Sequence, residues 1–257
     1  MPSSTLSILI PAKNEEEFIE ECLRSSLWAD EVIVLLNDST DNTEQIVKKY
    51  KTATIIKQSG GSFSSRKTDL AKAATGQWLF YLDADERITP LLKKEIKLVL
   101  RKTAPAAAYA IPRRQFLLGK ELVWGGWGRE DSYVMRLFQK NKLIRFEGEL
   151  HENPVFEGKF EKLKEPLIHL QPETIEEAFE KTIRWTGLEA NLFLAPGVNH
   201  PPITWWRVLK MGATTLFERL IKKQGFRDGV EGFIEAVYQS YHTMIIYLRL
   251  WELQQNK

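Results

Sequence analysis

Between Leu6 and Lys102 the chain alternates short, almost continuously apolar runs with amphipathic stretches of helical period, and few folds satisfy that alternation. Leu6-Ser7-Ile8-Leu9-Ile10 reads as a strand closed by Pro11. Glu31 to Leu36 reads as a second, ending in Asn37-Asp38, Ala53 to Ile56 as a third and Gln77 to Leu82 as a fourth. Phe18, Ile19, Cys22 and Leu23 supply one helical apolar face, and Ile46, Val47 and Tyr50 another. Gly60-Gly61 opens a loop into a helix over 64–74, and Pro90 begins one that reaches about Lys102. Strands that are apolar on both faces, separated by helices, form a parallel sheet covered on both sides. Asn14 is placed to cap the first helix, with Glu17 at the capping-box position. Asp41 or Thr43 can cap the second, and Gly76 suits the position just past the third.

After Pro105 the pattern changes. Tyr109 to Arg113 and Tyr133 to Phe138 read as strands around the glycine-rich loop Gly119 to Gly128, with turns at Gly148 and Gly158. From Thr174 onward the chain reads as helical, broken into at least two blocks by Pro196, Gly197, Pro201 and Pro202. The expected organisation is an α/β domain over 1–172, with halves 1–104 and 105–172, and a helical region over 173–257.

Parallel strands carry their carboxyl ends along one sheet edge, where ligands of open α/β sheets bind. Lys13-Asn14-Glu15 follows the first strand, Asn37-Asp38 the second and Asp83-Ala84-Asp85-Glu86 the fourth. Residues two apart in a strand share a side, so Asp83 and Asp85 emerge together. Paired carboxylates there disfavour stability but suit a hard divalent cation, which takes one or two protein carboxylates and completes its shell with water and phosphate. The plain alternative is an acidic turn. Asn14, Glu15 and Asp38 can accept hydrogen bonds from a base or ribose, or cap helices. Arg66 and Lys67, at a helix start, can grip phosphate or stand as a solvated basic pair.

No G-x-x-x-x-G-K-[ST] occurs, and no G-x-G-x-x-G follows the first strand, which disfavours P-loop and dinucleotide-binding readings. His151-Glu152 is not H-E-x-x-H; His151 can ligate metal, contact phosphate or be structural. Glu130-Asp131, after Trp124-Gly125-Gly126-Trp127-Gly128, can supply a general base over a sugar ring; on chemistry alone an ordinary polar strand start with core tryptophans fits better. Trp205-Trp206-Arg207, Lys210, Arg219, Lys222, Lys223 and Arg227 form basic–aromatic helices, read first as packed on the domain and second as lying on an anionic membrane.

The net charge of +2 over 257 residues gives no footprint for nucleic acid. Cys22 is the single cysteine, so no intramolecular disulfide forms, which suits a reducing compartment. No signal-like start or long apolar span is read, and the expected location is cytoplasmic, with peripheral contact on the inner membrane face left open.

Taken in order and spacing, Ser7-Ile8-Leu9-Ile10-Pro11-Ala12-Lys13-Asn14-Glu15-Glu16, Asn37-Asp38-Ser39-Thr40-Asp41-Asn42-Thr43 and Leu82-Asp83-Ala84-Asp85-Glu86 resemble glycosyltransferase family 2, of GT-A fold. Gly125-Gly126-Trp127, Asp131, Arg136-Leu137-Phe138 and His151-Glu152 resemble the subgroup of lipopolysaccharide inner-core β-glucosyltransferases. The resemblance implies inverting transfer from a nucleotide-sugar donor, UDP-glucose foremost, to a glycan or glycolipid hydroxyl, with Mg²⁺ or Mn²⁺. It implies that Pro11, Ala12, Glu15 and Asp38 hold the nucleoside and that Arg66 approaches the diphosphate. Asp83 and Asp85 hold ribose, metal and diphosphate, Asp85 being the more direct metal ligand, with His151 a further contact. Asp131 is the implied base, with Glu130 its rival, and Gly125, Gly126 and Trp127 lie on the acceptor side. Two positions depart from the pattern. Asp69 stands where relatives often have asparagine, and Trp127-Gly128-Arg129-Glu130-Asp131 replaces a Trp-Tyr-Pro-Asp run. Two other readings remain at this level: a sugar-phosphate nucleotidyltransferase, disfavoured by the missing glycine-rich loop, and a non-catalytic nucleotide-sugar or glycan-binding protein.

Overall fold

A computed structural model describes residues 4–148, 152–170, 174–194 and 200–255. The chain divides into two compact units, one of residues 1–113 and 133–169, the other of 114–132 and 170–257. The first unit begins β1 (Leu6–Ala12), α1 (Ile19–Ser26), β2 (Glu31–Asn37), α2 (Thr43–Lys48), β3 (Ala53–Gln58), α3 (Phe63–Ala73), β4 (Trp78–Tyr81), β5 (Glu86–Ile88), α4 (Pro90–Val99) and β6 (Ala108–Ile111). A hairpin of β7 (Arg113–Leu117) and β8 (Lys120–Leu122) leads into the second unit. The chain then returns as β9 (Val134–Gln139), β10 (Leu143–Glu147), β11 (Asn153–Phe156), β12 (Phe160–Lys162) and β13 (Leu167–Leu170).

Among the described residues the main sheet runs β12-β6-β9-β4-β1-β2-β3. β1 pairs in parallel with β2 and β4, and β2 with β3, as the alternation requires. The two-residue period then sorts the side chains. Ile8, Ile10, Val32, Val34 and Phe80 face α1, α2 and α4, meeting Cys22, Val47, Leu92 and Ile96. Leu9, Ile33, Leu35, Leu79 and Tyr81 face the other way, onto Leu70 of α3, Phe138 and Phe146. Ile8, Leu9 and Ile10 have no exposed surface, and each such side chain contributes roughly 1.5–3 kcal/mol on burial. β1 is therefore the strand on which both layers depend.

Local reading misplaces two features. Asn14 does not cap α1, which starts at Ile19 without a side-chain cap. Asn14 instead adopts a left-handed backbone (φ 55°), and its Oδ1 accepts from the Thr40 amide at 2.8 Å, tying the loops after β1 and β2 together. Gly76 is not a left-handed helix terminator. It lies against β1, where its amide donates to Ser7 Oγ at 2.9 Å. A Cβ there would sit 2.5 Å from Ser7 Oγ and 2.7 Å from the Ser7 amide nitrogen. Ser7 Oγ in turn donates to Glu31 Oε2 at 2.5 Å. Close approach of backbone, rather than conformational freedom, explains this glycine.

In the second unit, β7 and β8 pair from Gln115–Leu122 to Leu117–Lys120, leaving a two-residue turn of Leu118 and Gly119, both at positive φ. The twist of adjoining strands favours such a turn. Helices α5 (Ile175–Leu192), α6 (Trp205–Phe217) and α7 (Val230–Gln255) follow, α7 packing on both others. Ala190, Ile203, Val208, Tyr247 and Leu250 form their shared core. No described helix is long and apolar enough to cross a membrane.

Gly76→Ala should destabilise the first unit by about 1–3 kcal/mol, because backbone must move to admit the methyl. A lower urea midpoint checks this, and an unchanged midpoint contradicts the close-packing account.

Candidate functional site

The carboxyl ends of β1, β2 and β3 are stitched into one ledge. Besides the Asn14–Thr40 bond, the Glu15 amide donates to Thr43 Oγ1 at 2.8 Å and the Glu16 amide to Asp41 Oδ2 at 3.1 Å. Glu16 Oε2 accepts from the Asn42 amide at 3.0 Å. Asp38, left-handed at φ 50°, takes the Ser59 hydroxyl and the Gly60 amide on Oδ2, both at 3.1 Å. Those two donors hold its carboxyl below the usual range. Pro11 and Ala12 end β1 beside this ledge, Ala12 buried and Pro11 half-buried. The acidic and polar loop residues therefore cap strands and bridge loops at once.

Arg66 and Lys67 are not a solvated pair. Lys67 is buried, its Nζ 3.4 Å from Glu152 Oε2, and its carbonyl accepts from the Tyr81 hydroxyl. Arg66 is half-buried, lies over the Phe63 ring at 4.4 Å and donates to the Gly61 carbonyl at 3.1 Å. Its Nε is buried with no hydrogen-bond partner among the described residues. Burial lowers its affinity for its proton, against the pull of Glu152 and Asp38. A half-buried guanidinium with an orphan donor is suited to an anion.

β4 ends in the acidic turn, which is built on buried charge. Arg136, reaching in from β9, bonds Asp83 Oδ2 and, at 2.7 Å, Glu86 Oε1. Glu86 has no exposed surface; it also receives the Asp83 amide at 3.2 Å and faces Arg113 Nη1 at 3.7 Å. Burial pushes the Asp83 carboxyl up, but Arg136 and Lys67 outweigh it and leave the group below the usual range. Burial likewise opposes charge on Arg136, and Asp83 and Glu86 reverse that, so its proton is held more tightly than usual. Arg87 donates to the carbonyls of Ala84, Glu86 and Phe18 at 2.7–2.8 Å, fixing the turn from beneath. Cys22 is buried under the turn, its thiol pushed up by burial, and is inert as a nucleophile.

Asp85 has a different neighbour. β13 pairs antiparallel with β5, setting His169 opposite Glu86, and His169 Nε2 lies 3.3 Å from Asp85 Oδ2. Both side chains remain partly exposed. A carboxylate oxygen and an imidazole nitrogen at this spacing are a donor pair for a divalent cation. Among the described residues no group of three or more His, Cys, Asp or Glu is arranged to hold a metal. His169 escaped the sequence reading because one histidine in the apolar run Leu167–Leu170 looks structural. Its only signal is strand alternation, and the pairing with β5 is not a local property. His151 lies outside the described residues.

Glu130 and Asp131 belong to the second unit, on a single 3₁₀ turn, Arg129–Asp131, closed by the Asp131 amide on the Gly128 carbonyl at 3.0 Å. Both are exposed. The loop before them is clamped by the chain between α6 and α7. Asp228 accepts from the Val123 and Trp124 amides, at 2.8 Å to Trp124. The Gly125 amide donates to the Lys223 carbonyl at 2.8 Å, and Arg219 donates to the Gly125 carbonyl at 3.1 Å while stacking on Trp127 at 4.8 Å. Trp127 Nε1 donates to Glu235 Oε1 at 3.0 Å. Trp124 and Trp127 are half-buried rather than core. Gly125 and Gly126 take positive φ, and a Cβ on Gly126 would meet Lys223 Cδ at 2.9 Å.

A mainly parallel sheet with antiparallel β9 inserted beside β4, and an Asp-x-Asp turn at the end of β4, defines the GT-A class of nucleotide-sugar enzyme folds. The family model described as glycosyl transferase family 2 matches residues 7–149, and the chain belongs to that family of glycosyltransferases. It is 23% identical over 270 residues to the lipopolysaccharide core biosynthesis glycosyltransferase LpsC of Rhizobium meliloti (strain 1021), covering 98% of this chain and 94% of that protein. An uncharacterized glycosyltransferase of Rickettsia conorii, RC0292, is 22% identical over 268 residues, covering 98% of this chain and 90% of its own. Among solved structures, the mannosyltransferase PcManGT of Pyrobaculum calidifontis, in complex with GDP-Man and Mn²⁺, superposes with a TM-score of 0.53 at 13% identity. It covers 100% of this chain and 88% of its own, which establishes the shared fold.

Glu235, on α7, is buried. Burial raises its carboxyl to about 7, against Gln239, Arg219 and Trp127, and its Oε2 is buried without a hydrogen-bond partner among the described residues. Between about pH 4.5 and 7 the folded state then binds more protons than the unfolded one, so stability falls as pH rises through that window and levels off above it. Glu235→Gln should flatten the slope and unfold at a higher temperature than the wild type at pH 8. An unchanged slope would show that Glu235 is ionised throughout.

Proposed function

We propose that this chain catalyses inverting transfer of a hexosyl group from a UDP-sugar, glucose foremost, to a hydroxyl of a cell-envelope glycan such as the lipopolysaccharide core. The observation that carries the reading is the division of the acidic turn: Asp83 is bound to Arg136, while Asp85 stands beside His169. The cell-envelope acceptor is supported by the name of the Rhizobium meliloti relative, which matches over nearly the full length of both chains. Use of a nucleotide sugar and a divalent cation is supported by the complex in which the Pyrobaculum calidifontis enzyme was solved.

Pro11, Ala12, Glu15 and Asp38 bind the nucleoside on the ledge. Arg66 supplies its orphan donor to the diphosphate, and Asp83 orients the ribose. Asp85 and His169 would hold Mg²⁺ or Mn²⁺, with His151 a further candidate. When bound, such a cation offsets the charge that develops on the departing nucleoside diphosphate. The acceptor oxygen forms a bond to the anomeric carbon as the bond to phosphate breaks, and the diphosphate leaves with the bonding pair. Asp131 takes the hydroxyl proton, with Glu130 as its rival. Gly125, Gly126 and Trp127 present the acceptor. A single displacement inverts the anomeric centre.

Because two or three protein ligands leave the rest of the cation's shell to water and phosphate, metal and nucleotide should bind interdependently. In a thermal-shift screen of UDP, GDP, CMP and dTDP sugars, one UDP-sugar with Mn²⁺ should stabilise the protein by about 2.7 kcal/mol at 100-fold excess over Kd, and neither component alone should match it. Equal stabilisation by Mn²⁺ alone contradicts a site completed by the nucleotide. Asp131→Asn should lower turnover by roughly 10²-fold or more with donor affinity nearly unchanged. Near-normal turnover removes Asp131 from the role of base.

A further inference from the structure

Helix α6 is apolar on two opposite faces. One face is accounted for: Val208 and Gly212 are buried, and a Cβ on Gly212 would lie 2.7 Å from Met244 Sδ of α7, so the two helices meet at close range. The opposite face carries Trp206, Leu209, Ala213 and Phe217 at helical spacing, all exposed, with Trp206 at 62% and Phe217 at 61%. Trp205, against the Trp206 ring, is 74% exposed. The stripe continues past the helix through Ile221, on the π-helical turn Glu218–Lys222, to Phe226, both about half exposed. A second apolar face on a helix belongs against a core or against lipid, and on α6 that face is open.

The polar residues around the stripe are of one sign. Residues 205–227 hold six basic side chains (Arg207, Lys210, Arg219, Lys222, Lys223 and Arg227) against one acidic, Glu218, in a chain whose net charge is only +2. Lys210, Lys222, Lys223 and Arg227 are exposed. We infer that the outer face of α6 and the turn after it form a docking surface for an anionic lipid bilayer, with the helix lying in the plane of the interface. Thirteen residues span roughly 20 Å, short of the ~30 Å hydrocarbon layer, so the helix seats on the surface rather than crossing it. The indoles suit the headgroup level, where an apolar body and a polar N–H are both satisfied. The exposed Lys210, Lys222, Lys223 and Arg227 meet anionic headgroups, each worth roughly fivefold in partitioning. A second copy of this chain would bring the same positive charge against itself, which disfavours self-association through this face. The inference rests on the second unit alone and is independent of the donor and acceptor assigned above.

The test is co-sedimentation of the full chain with vesicles of phosphatidylcholine, alone or with about one part in three phosphatidylglycerol. The protein should bind the anionic vesicles, bind the neutral ones at least tenfold more weakly, and be released as salt rises from about 0.05 to about 0.5 M. Trp206→Ser with Phe217→Ser should lower anionic partitioning at least tenfold. Lys210→Glu with Lys222→Glu, two exposed positions, should do the same while leaving circular dichroism unchanged. Phe233→Ser should not affect partitioning; Phe233 lines a separate apolar cavity of about 330 Å³ between α5 and α7, with Phe179 and Val237. Failure of the wild type to bind anionic vesicles overturns the inference. So does equal binding to neutral vesicles, or a concentration-dependent dimer that Trp206→Ser with Phe217→Ser abolishes.

Discussion

Arg136 reaches from β9 into the turn after β4 and holds two carboxylates, Asp83 and the fully buried Glu86. Without it the end of β4 would carry adjacent acids in a low-dielectric pocket, and burial with mutual repulsion would protonate them or open the turn. Removing one partner of such a cluster typically costs about 3–5 kcal/mol, because the remaining charge is stranded. Arg113 and Lys67 add cationic neighbours from β7 and α3, and Arg87 fixes the carbonyls of the same turn. The result is an acidic corner in which the two aspartates of one motif have different neighbours. Asp83 Oδ2 is bound by Arg136, and Asp85 Oδ2 lies beside His169 Nε2.

That corner explains an otherwise odd feature of the sheet. A parallel sheet grown only by strand–helix alternation would place another parallel strand beside β4. Here β9 is antiparallel to both β4 and β6, pairing Phe80 with Leu137 and Tyr109 with the same residue. The inserted strand puts Arg136 one residue from that pair, at the level of the acidic turn. Structure and site chemistry are therefore the same event: pairing β9 in this register delivers the counter-charge.

The alternation of β1 to β4 with their helices was legible because each element buries its own periodic face, which is a local property. The Asp-x-Asp turn was legible for the same reason, as charge abutting the apolar run Trp78–Leu82. Asn14 misled because a short polar side chain satisfies a neighbouring loop as well as a helix end, and only the tertiary fold chooses. Lys67 and His169 were hidden by distance in sequence: Lys67 finds Glu152, and His169 reaches Asp85 only through the pairing of β13 with β5. The clamp from Asp228, Arg219 and Glu235 onto residues 123–127 was invisible likewise, since it joins positions about a hundred residues apart.

On the function proposed here, Asp85 and His169, rather than Arg136-bound Asp83, would take a divalent cation. Electron paramagnetic resonance titration of Mn²⁺ in the presence of UDP measures this directly. Asp85→Ala and His169→Ala should each raise the metal Kd tenfold or more, the order of loss when a coordination shell is disturbed. Asp131→Asn should leave it unchanged. Metal affinity that is the same in the wild type, Asp85→Ala and His169→Ala would rule out both residues as ligands.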